Sequence, residues 1–144
     1  MSPPYMGCTP ATPFIHIDAA GQPSLQGSRC SHCNNVVLGR KRVCPQCTAR
    51  SGIAPIELAQ HGTLYTYTVV YRSFPGVNTP FIAATVDLHG GGTLKGVLLD
   101  VAPQSPQLQF DMPVRLVFRE TGQHDAAGAA YLSYFFVPAQ GAAW

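Results

Sequence analysis

The chain has 144 residues and a formal net charge of +2, yet only 11% of its residues are charged, against about 25% in typical soluble domains. That length fits one ordinary domain, or a small domain with an appendage, and excludes two large ones. With 46% hydrophobic residues beside so few charges, the surface is expected to be unusually apolar or neutral, as it is where a partner covers it.

The opening stretch, "MSPPYMGCTPATPF", lacks the basic region and apolar run of a signal peptide. No run of about 18 apolar residues occurs, so membrane insertion is not expected and the reading is cytoplasmic. Residues 1–13 are proline-rich and aperiodic, predicting disorder or an arm draped over a partner. From 14 to 25, "FIHIDAAGQPSL" alternates briefly and turns at Gly21 and Pro23, predicting one short strand or an extended arm. Residues 1–28 are read together as an N-terminal leader.

Residues 29–50 carry the strongest motif, "CSHCNNVVLGRKRVCPQC", two Cys-x-x-Cys pairs separated by ten residues. In a reducing compartment this pattern is a metal site rather than a disulfide frame. Two such knuckles on facing hairpins place Cys30, Cys33, Cys44 and Cys47 around one tetrahedral ion. Four thiolates suit zinc, and also the iron of a rubredoxin-like centre, but nothing else in the chain suggests electron transfer. A closed sulfur shell leaves no position for water or substrate, so the expected role is structural. Asn34 and Asn35 tolerate the left-handed backbone that a knuckle needs just past its second Cys. His32 is left exposed, and Cys8 is a bystander. A ribbon this short cannot bury a core of its own, so metal binding is expected to supply its folding energy.

After Pro55 the texture changes to β-branched and aromatic runs broken by turn residues. Five strands are predicted, at roughly 62–72, 80–88, 93–99, 113–119 and 130–137, joined by Pro-Gly, Gly-Gly-Gly and Gly-rich connections. No convincing helical period is present. The predicted fold is therefore mainly β, a rubredoxin-like zinc ribbon followed over 56–144 by a five-stranded OB-fold barrel, with an SH3-like barrel as the alternative.

Charge separates the possible partners. Arg29, Arg40, Lys41, Arg42 and Arg50 lie in or beside the ribbon, which has no acid, whereas from Ile56 onward four basic residues face six acidic ones. A single-strand-binding barrel needs stacking aromatics and a basic groove. Tyr65, Tyr67, Tyr71, Phe74 and Phe81 offer the first, and the second is missing, so a single-stranded nucleic-acid-binding module is the alternative reading. A local basic patch suits a smaller polyanion such as coenzyme A, whose phosphates a few Arg or Lys residues hold by charge-assisted bonds. No catalytic constellation emerges from His16, His32, His61, His89 and His124. "HGGG" at 89–92 lacks the Gly-x-Ser-x-Gly elbow that an oxyanion loop accompanies, and is read as a hairpin turn.

The segments "DAAGQPSLQGSRCSHCNNVVLGRKRVCPQC", "HGTLYTYTVVYRSF", "TPFIAATVDLHGGGTLKGVLLD", "FDMPVRLVF" and "YFFVP" together resemble a family of small zinc-ribbon plus OB-fold proteins, a domain of unknown function found with thiolase-like enzymes. The chain departs from that pattern between the knuckles, where "VVLGRKRV" stands in place of an aromatic and prolines before an Arg, and in its short leader. The resemblance implies a noncatalytic accessory subunit of a thiolase-like or acyl-CoA aldolase enzyme. Such a subunit docks on the catalytic chain and helps form its acyl-CoA site in lipid, steroid or aromatic acid degradation. It further implies that the catalytic residues belong to the other chain and that the coenzyme A thioester is shared with it. By this analogy the loop from Tyr71 to Phe81 is the first candidate for contact, with Phe74 exposed beside a Pro-Gly turn and Arg72 available for phosphate. Arg40, Lys41 and Arg42 are the second.

Overall fold

The computed structural model describes residues 5–139 and is all β among them. No helix is long and apolar enough to cross a membrane among these residues. The chain divides into two compact units. One gathers the described residues up to Ala59, the turn Gly90–Gly92 and Phe118–Ser133; the other holds Gln60–His89, Thr93–Val117 and the chain from Tyr134.

In the first unit, β1 is Thr9–Pro10, β2 Ile15–Ile17, β3 Pro23–Cys30, β4 Val36–Leu38 and β5 Ile53–Glu57. Strand β3 is the organiser: it pairs antiparallel with β2, β4 and β5 and buries Leu25, Ser28 and Cys30. The stretch expected to hold one strand or an arm is thus a hairpin. Its turn is closed by Asp18, whose Oδ1 accepts the N–H groups of Ala20 and Gln22, both at 2.9 Å.

The leader differs from expectation more sharply. Residues 5–13 are tied to the chain's own C-terminal strands, while residues 1–4 lie outside the described residues. Tyr5 donates its hydroxyl to Phe118 O at 3.0 Å, and β1 pairs in parallel with Tyr131 and Leu132. Thr9 Oγ1 donates to Asp125 Oδ2 at 2.6 Å, and Ala11 N–H to Leu132 O at 2.8 Å. Proline at position 10 is acceptable there because an added edge strand does not use every N–H.

The barrel strands are β6 (His61–Val70), β7 (Phe81–Leu88), β8 (Thr93–Leu98), β9 (Pro113–His124) and β10 (Ala130–Pro138). Their order is β10-β8-β7-β6-β9, and a further β9–β10 pairing closes the ring into the expected five-stranded barrel. Ala139 N–H donates to Pro113 O at 3.0 Å along that seam. Strand β10 runs parallel to β8, whereas β6–β7, β7–β8 and β6–β9 are antiparallel. Strand β7 shows the plainest alternation, with Ile82, Ala84, Val86 and Leu88 buried; Leu64, Leu94, Leu98, Val114, Leu116 and Phe136 complete the core.

Two departures from the predicted strands have local causes. Strand β9 continues to His124 because its far half forms a hairpin with β10, where Asp125 Oδ1 accepts the N–H groups of Ala127 and Ala129, both at 2.9 Å. Strand β6 changes register between Leu64 and Thr66, a bulge that leaves Tyr65 exposed. The "HGGG" segment is the β7–β8 turn, as expected. A Cβ on Gly91 would stand 2.9 Å from Val36 Cγ2, so the turn is glycine where it meets the ribbon strand β4, and Arg29 Nη2 donates to Gly90 O at 3.2 Å.

Within the barrel, Gly62 permits a close β6–β7 approach: a Cβ there would collide with the Asp87 carbonyl oxygen. Backbone cannot yield as a flexible side chain does, so Gly62→Ala is expected to lower unfolding free energy by about 1–3 kcal/mol in urea titration. The exposed neighbour Thr63, changed to Ala, should stay within about 0.5 kcal/mol of the parent.

Candidate metal centre

The four predicted ligands come together. The Sγ atoms of Cys30, Cys33, Cys44 and Cys47 all lie within 4.8 Å of one another, with Cys30–Cys47 and Cys33–Cys44 each at 3.6 Å. A tetrahedral shell with metal–sulfur bonds of about 2.3 Å places sulfurs about 3.8 Å apart, so the cluster fits one metal ion.

The two knuckles repeat one backbone design. Cys30 N–H donates to Asn35 O at 3.0 Å, and Cys44 N–H to Ala49 O at 2.9 Å. Asn34 N–H returns to Cys30 O at 2.8 Å, and Thr48 N–H to Cys44 O at 2.9 Å. Asn34 has φ 61° and Thr48 φ 63°, so each knuckle makes its left-handed step directly after its second Cys. Asn34 was legible as such a residue. Thr48 was not, because a β-branched side chain disfavours that conformation; its hydroxyl donates to Cys47 O at 2.6 Å.

Protonation is unevenly shared among the sulfurs. The Cys47 N–H, 3.5 Å from Cys44 Sγ, is the main influence holding Cys44 down at about 6, with help from the Gln46 N–H and the neighbouring Cys33 and Cys47 thiols. At Cys33 the Asn35 N–H pulls downward but is outweighed by burial and the thiols of Cys44, Cys47 and Cys30, which push it up to about 12. Sulfurs this close resist ionising together unless a cation offsets their charge, which is the donor chemistry of a thiolate metal site. Cys8 stands outside the cluster, 4.0 Å from Glu120 Oε1; burial and that carboxylate push its thiol up. His32 is exposed.

The remaining candidates fall on two loops in different units. Arg40, Lys41 and Arg42 are exposed on the segment leaving β4 toward the second knuckle. That segment is anchored by Ser28, which donates its hydroxyl to Gly39 O at 2.7 Å and accepts Lys41 N–H at 3.2 Å. Arg72 and Phe74 lie on the β6–β7 connection, where every residue from Tyr71 to Pro80 is exposed and Phe74 reaches 82%. Tyr71, Val77, Tyr65 and Phe110 are exposed in the same unit, and Tyr67 packs on Phe110 with ring centroids 5.1 Å apart. Period-two aromatics on β6 favoured core or interface. The structure leaves Tyr65 outside the core, and the exposure of Phe110, in a turn-rich segment, had no sequence signal.

Comparison with known proteins agrees with this arrangement. Residues 55–119 match the family described as the ChsH2 C-terminal OB-fold domain. A DUF35 domain-containing scaffold protein of Methanocaldococcus jannaschii is 29% identical over 117 residues, covering 79% of this chain and 81% of that one. The benzoylsuccinyl-CoA thiolase subunit BbsA of Geobacter metallireducens is 29% identical over 85 residues, 55% of this chain and 57% of BbsA. Among solved structures, an Ltp2–ChsH2(DUF35) aldolase superposes with a TM-score of 0.62 at 27% identity, covering 80% of this chain and 84% of that one. Over residues 55–119 the chain is thus similar to the ChsH2 C-terminal OB-fold domain, and over about four-fifths of its length to proteins named for DUF35.

Proposed function

We propose that this chain is a noncatalytic accessory subunit of a thiolase-like or acyl-CoA aldolase enzyme. It docks on the catalytic subunit through the exposed β6–β7 loop and helps form the acyl-CoA site, in degradation of a lipid, steroid or aromatic acid. The observation that carries this reading is the likeness, over four-fifths of the chain, to a component of an aldolase assembly. A thiolase subunit among the relatives points to the same class of partner. The local physics supports it: Phe74, Tyr71 and Val77 expose apolar surface on one loop, where aromatic anchors typically concentrate binding energy. Arg72 on that loop, and Arg40, Lys41 and Arg42 on the ribbon, supply cations for a coenzyme A phosphate shared with the partner.

The metal is zinc, held by Cys30, Cys33, Cys44 and Cys47 in a structural role. Structural zinc in small ribbons contributes about 10–16 kcal/mol of apparent binding energy. A core of fewer than about 70 residues rarely supplies more than about 3–5 kcal/mol, so the ion dominates the ribbon's folding.

Two measurements check these statements. Cys44→Ser should abolish stoichiometric zinc in elemental analysis and unfold the ribbon. A variant that keeps both its zinc and its thermal transition would remove the structural assignment. Phe74→Ala should keep fold and zinc yet weaken co-purification with a thiolase-like partner by about 2 kcal/mol or more, roughly 30-fold, with a matching loss of reconstituted activity. Unchanged assembly and activity would rule out the loop as the docking element, and recovery of the tagged chain from its host with no thiolase-like protein would defeat the accessory reading.

A further inference from the structure

We infer that the four-sulfur centre is a peroxide-sensitive switch: oxidation exchanges its ion for two disulfides that cross between the knuckles, Cys33 to Cys44 and Cys30 to Cys47. The inference rests on the structural-metal reading above and goes beyond it, because it gives the sulfurs a second bonded state. The two 3.6 Å sulfur contacts, Cys30–Cys47 and Cys33–Cys44, run between knuckles rather than within one. The bonding partner of each sulfur is therefore its neighbour before any oxidant arrives.

Accessibility divides each pair in the same way. Cys47 is exposed and Cys33 half-buried, whereas Cys30 and Cys44 are each 2% exposed. Every 3.6 Å contact thus joins a sulfur that an oxidant reaches to one that it does not, the arrangement of an attacked cysteine beside its resolving partner. A metal-held sulfur is a thiolate, the form that peroxide attacks. At the outer pair the Cys47 thiolate takes one oxygen from hydrogen peroxide, giving a sulfenic acid and hydroxide. The Cys30 thiolate then attacks that sulfur, forming the S–S bond and expelling a second hydroxide. Cys33 and Cys44 repeat the sequence. Two peroxides are reduced by four electrons, four thiolates become two disulfides, and the divalent ion leaves with four hydroxides.

Crossing bridges take over the clamp that the ion supplies. Bridges within a knuckle would leave two hairpins with nothing between them. Bridges across the knuckles close nested loops whose ends are 11 and 17 residues apart, and hold the hairpins face to face. The exchange also changes the surface. Four thiolates around a divalent ion leave a net of two negative charges and two disulfides leave none, so the ribbon gains two positive charges beside Arg29, Arg40, Lys41, Arg42 and Arg50. Cys8 supplies the contrast: it stands outside the cluster, 4.0 Å from Glu120 Oε1, where burial and that carboxylate keep it a thiol.

The test takes the full, zinc-loaded chain, titrates it with hydrogen peroxide beside a chromogenic chelator, then alkylates free thiols and maps the bridges by peptide mass spectrometry. One zinc should be released for every two peroxides, with Cys33–Cys44 and Cys30–Cys47 as the bridges. Cys8 should be recovered alkylated, its oxidation at least about tenfold slower than that of the cluster. Dithiothreitol with added zinc should restore the starting metal content, and native electrophoresis should show the oxidised chain shifted toward the cathode. Cys8→Ser should change none of these results. Bridges Cys30–Cys33 and Cys44–Cys47, a bridge to Cys8, zinc held until Cys8 is itself oxidised, or oxidation that dithiothreitol does not reverse would each overturn the inference. A chain that purifies with iron yet forms the crossing bridges would overturn the zinc reading alone, and a chain that takes up no metal would overturn both.

Discussion

Four sulfur atoms within 4.8 Å of one another impose the condition on which the N-terminal half of the protein rests. They cannot all be anionic without a cation, and the peptide around them has too little apolar surface to hold them together by burial. The backbone answers with two copies of the same turn, each aiming N–H groups inward and each making one left-handed step. From Cys30 the constraint passes along β3, whose other residues anchor the β2 hairpin, strands β4 and β5 and the loop carrying Arg40 and Lys41. One strand thus joins the metal site to the candidate anion site.

The second unit works on different terms. Its core is a closed ring of strands with alternating inward side chains, and its stability comes from apolar burial and inter-strand pairing. Closure also removes the open sheet edges that invite unwanted pairing. Among the described residues of this unit, the large exposed hydrophobic side chains are confined to the β6 bulge, the β6–β7 loop and the turn bearing Phe110. A chain with so few charged residues has little else to keep its surface wet, so aromatic exposure at those places sets where a partner would be most favourably received.

The parts legible in the sequence were those governed by local spacing. Two Cys-x-x-Cys pairs announce a metal site because ligand geometry is set within three residues, and β7 announces itself through strict alternation. The triple glycine at 90–92 was legible as a turn, though not its approach to Val36. What was hidden depends on distant pairing: β1 meets Tyr131 and Leu132 more than a hundred residues later, so its proline-rich sequence reads as disorder when taken by itself. Thr48 was hidden because its conformation is imposed by the metal knuckle against its own preference, and the register shift at Tyr65 because a bulge leaves no mark in residue type.

The division of the chain into its two units does not follow the order of the sequence. The polypeptide leaves one for the other at Gln60, returns for Gly90–Gly92, and returns again for Phe118–Ser133 before ending its described course in the barrel. Strands β9 and β10 each contribute to both. A cut after Ala59 would keep the five barrel strands together, yet it would take β1 away from Tyr131 and Leu132. A barrel expressed from Gln60 onward would therefore carry a strand edge that the intact chain pairs with its own beginning.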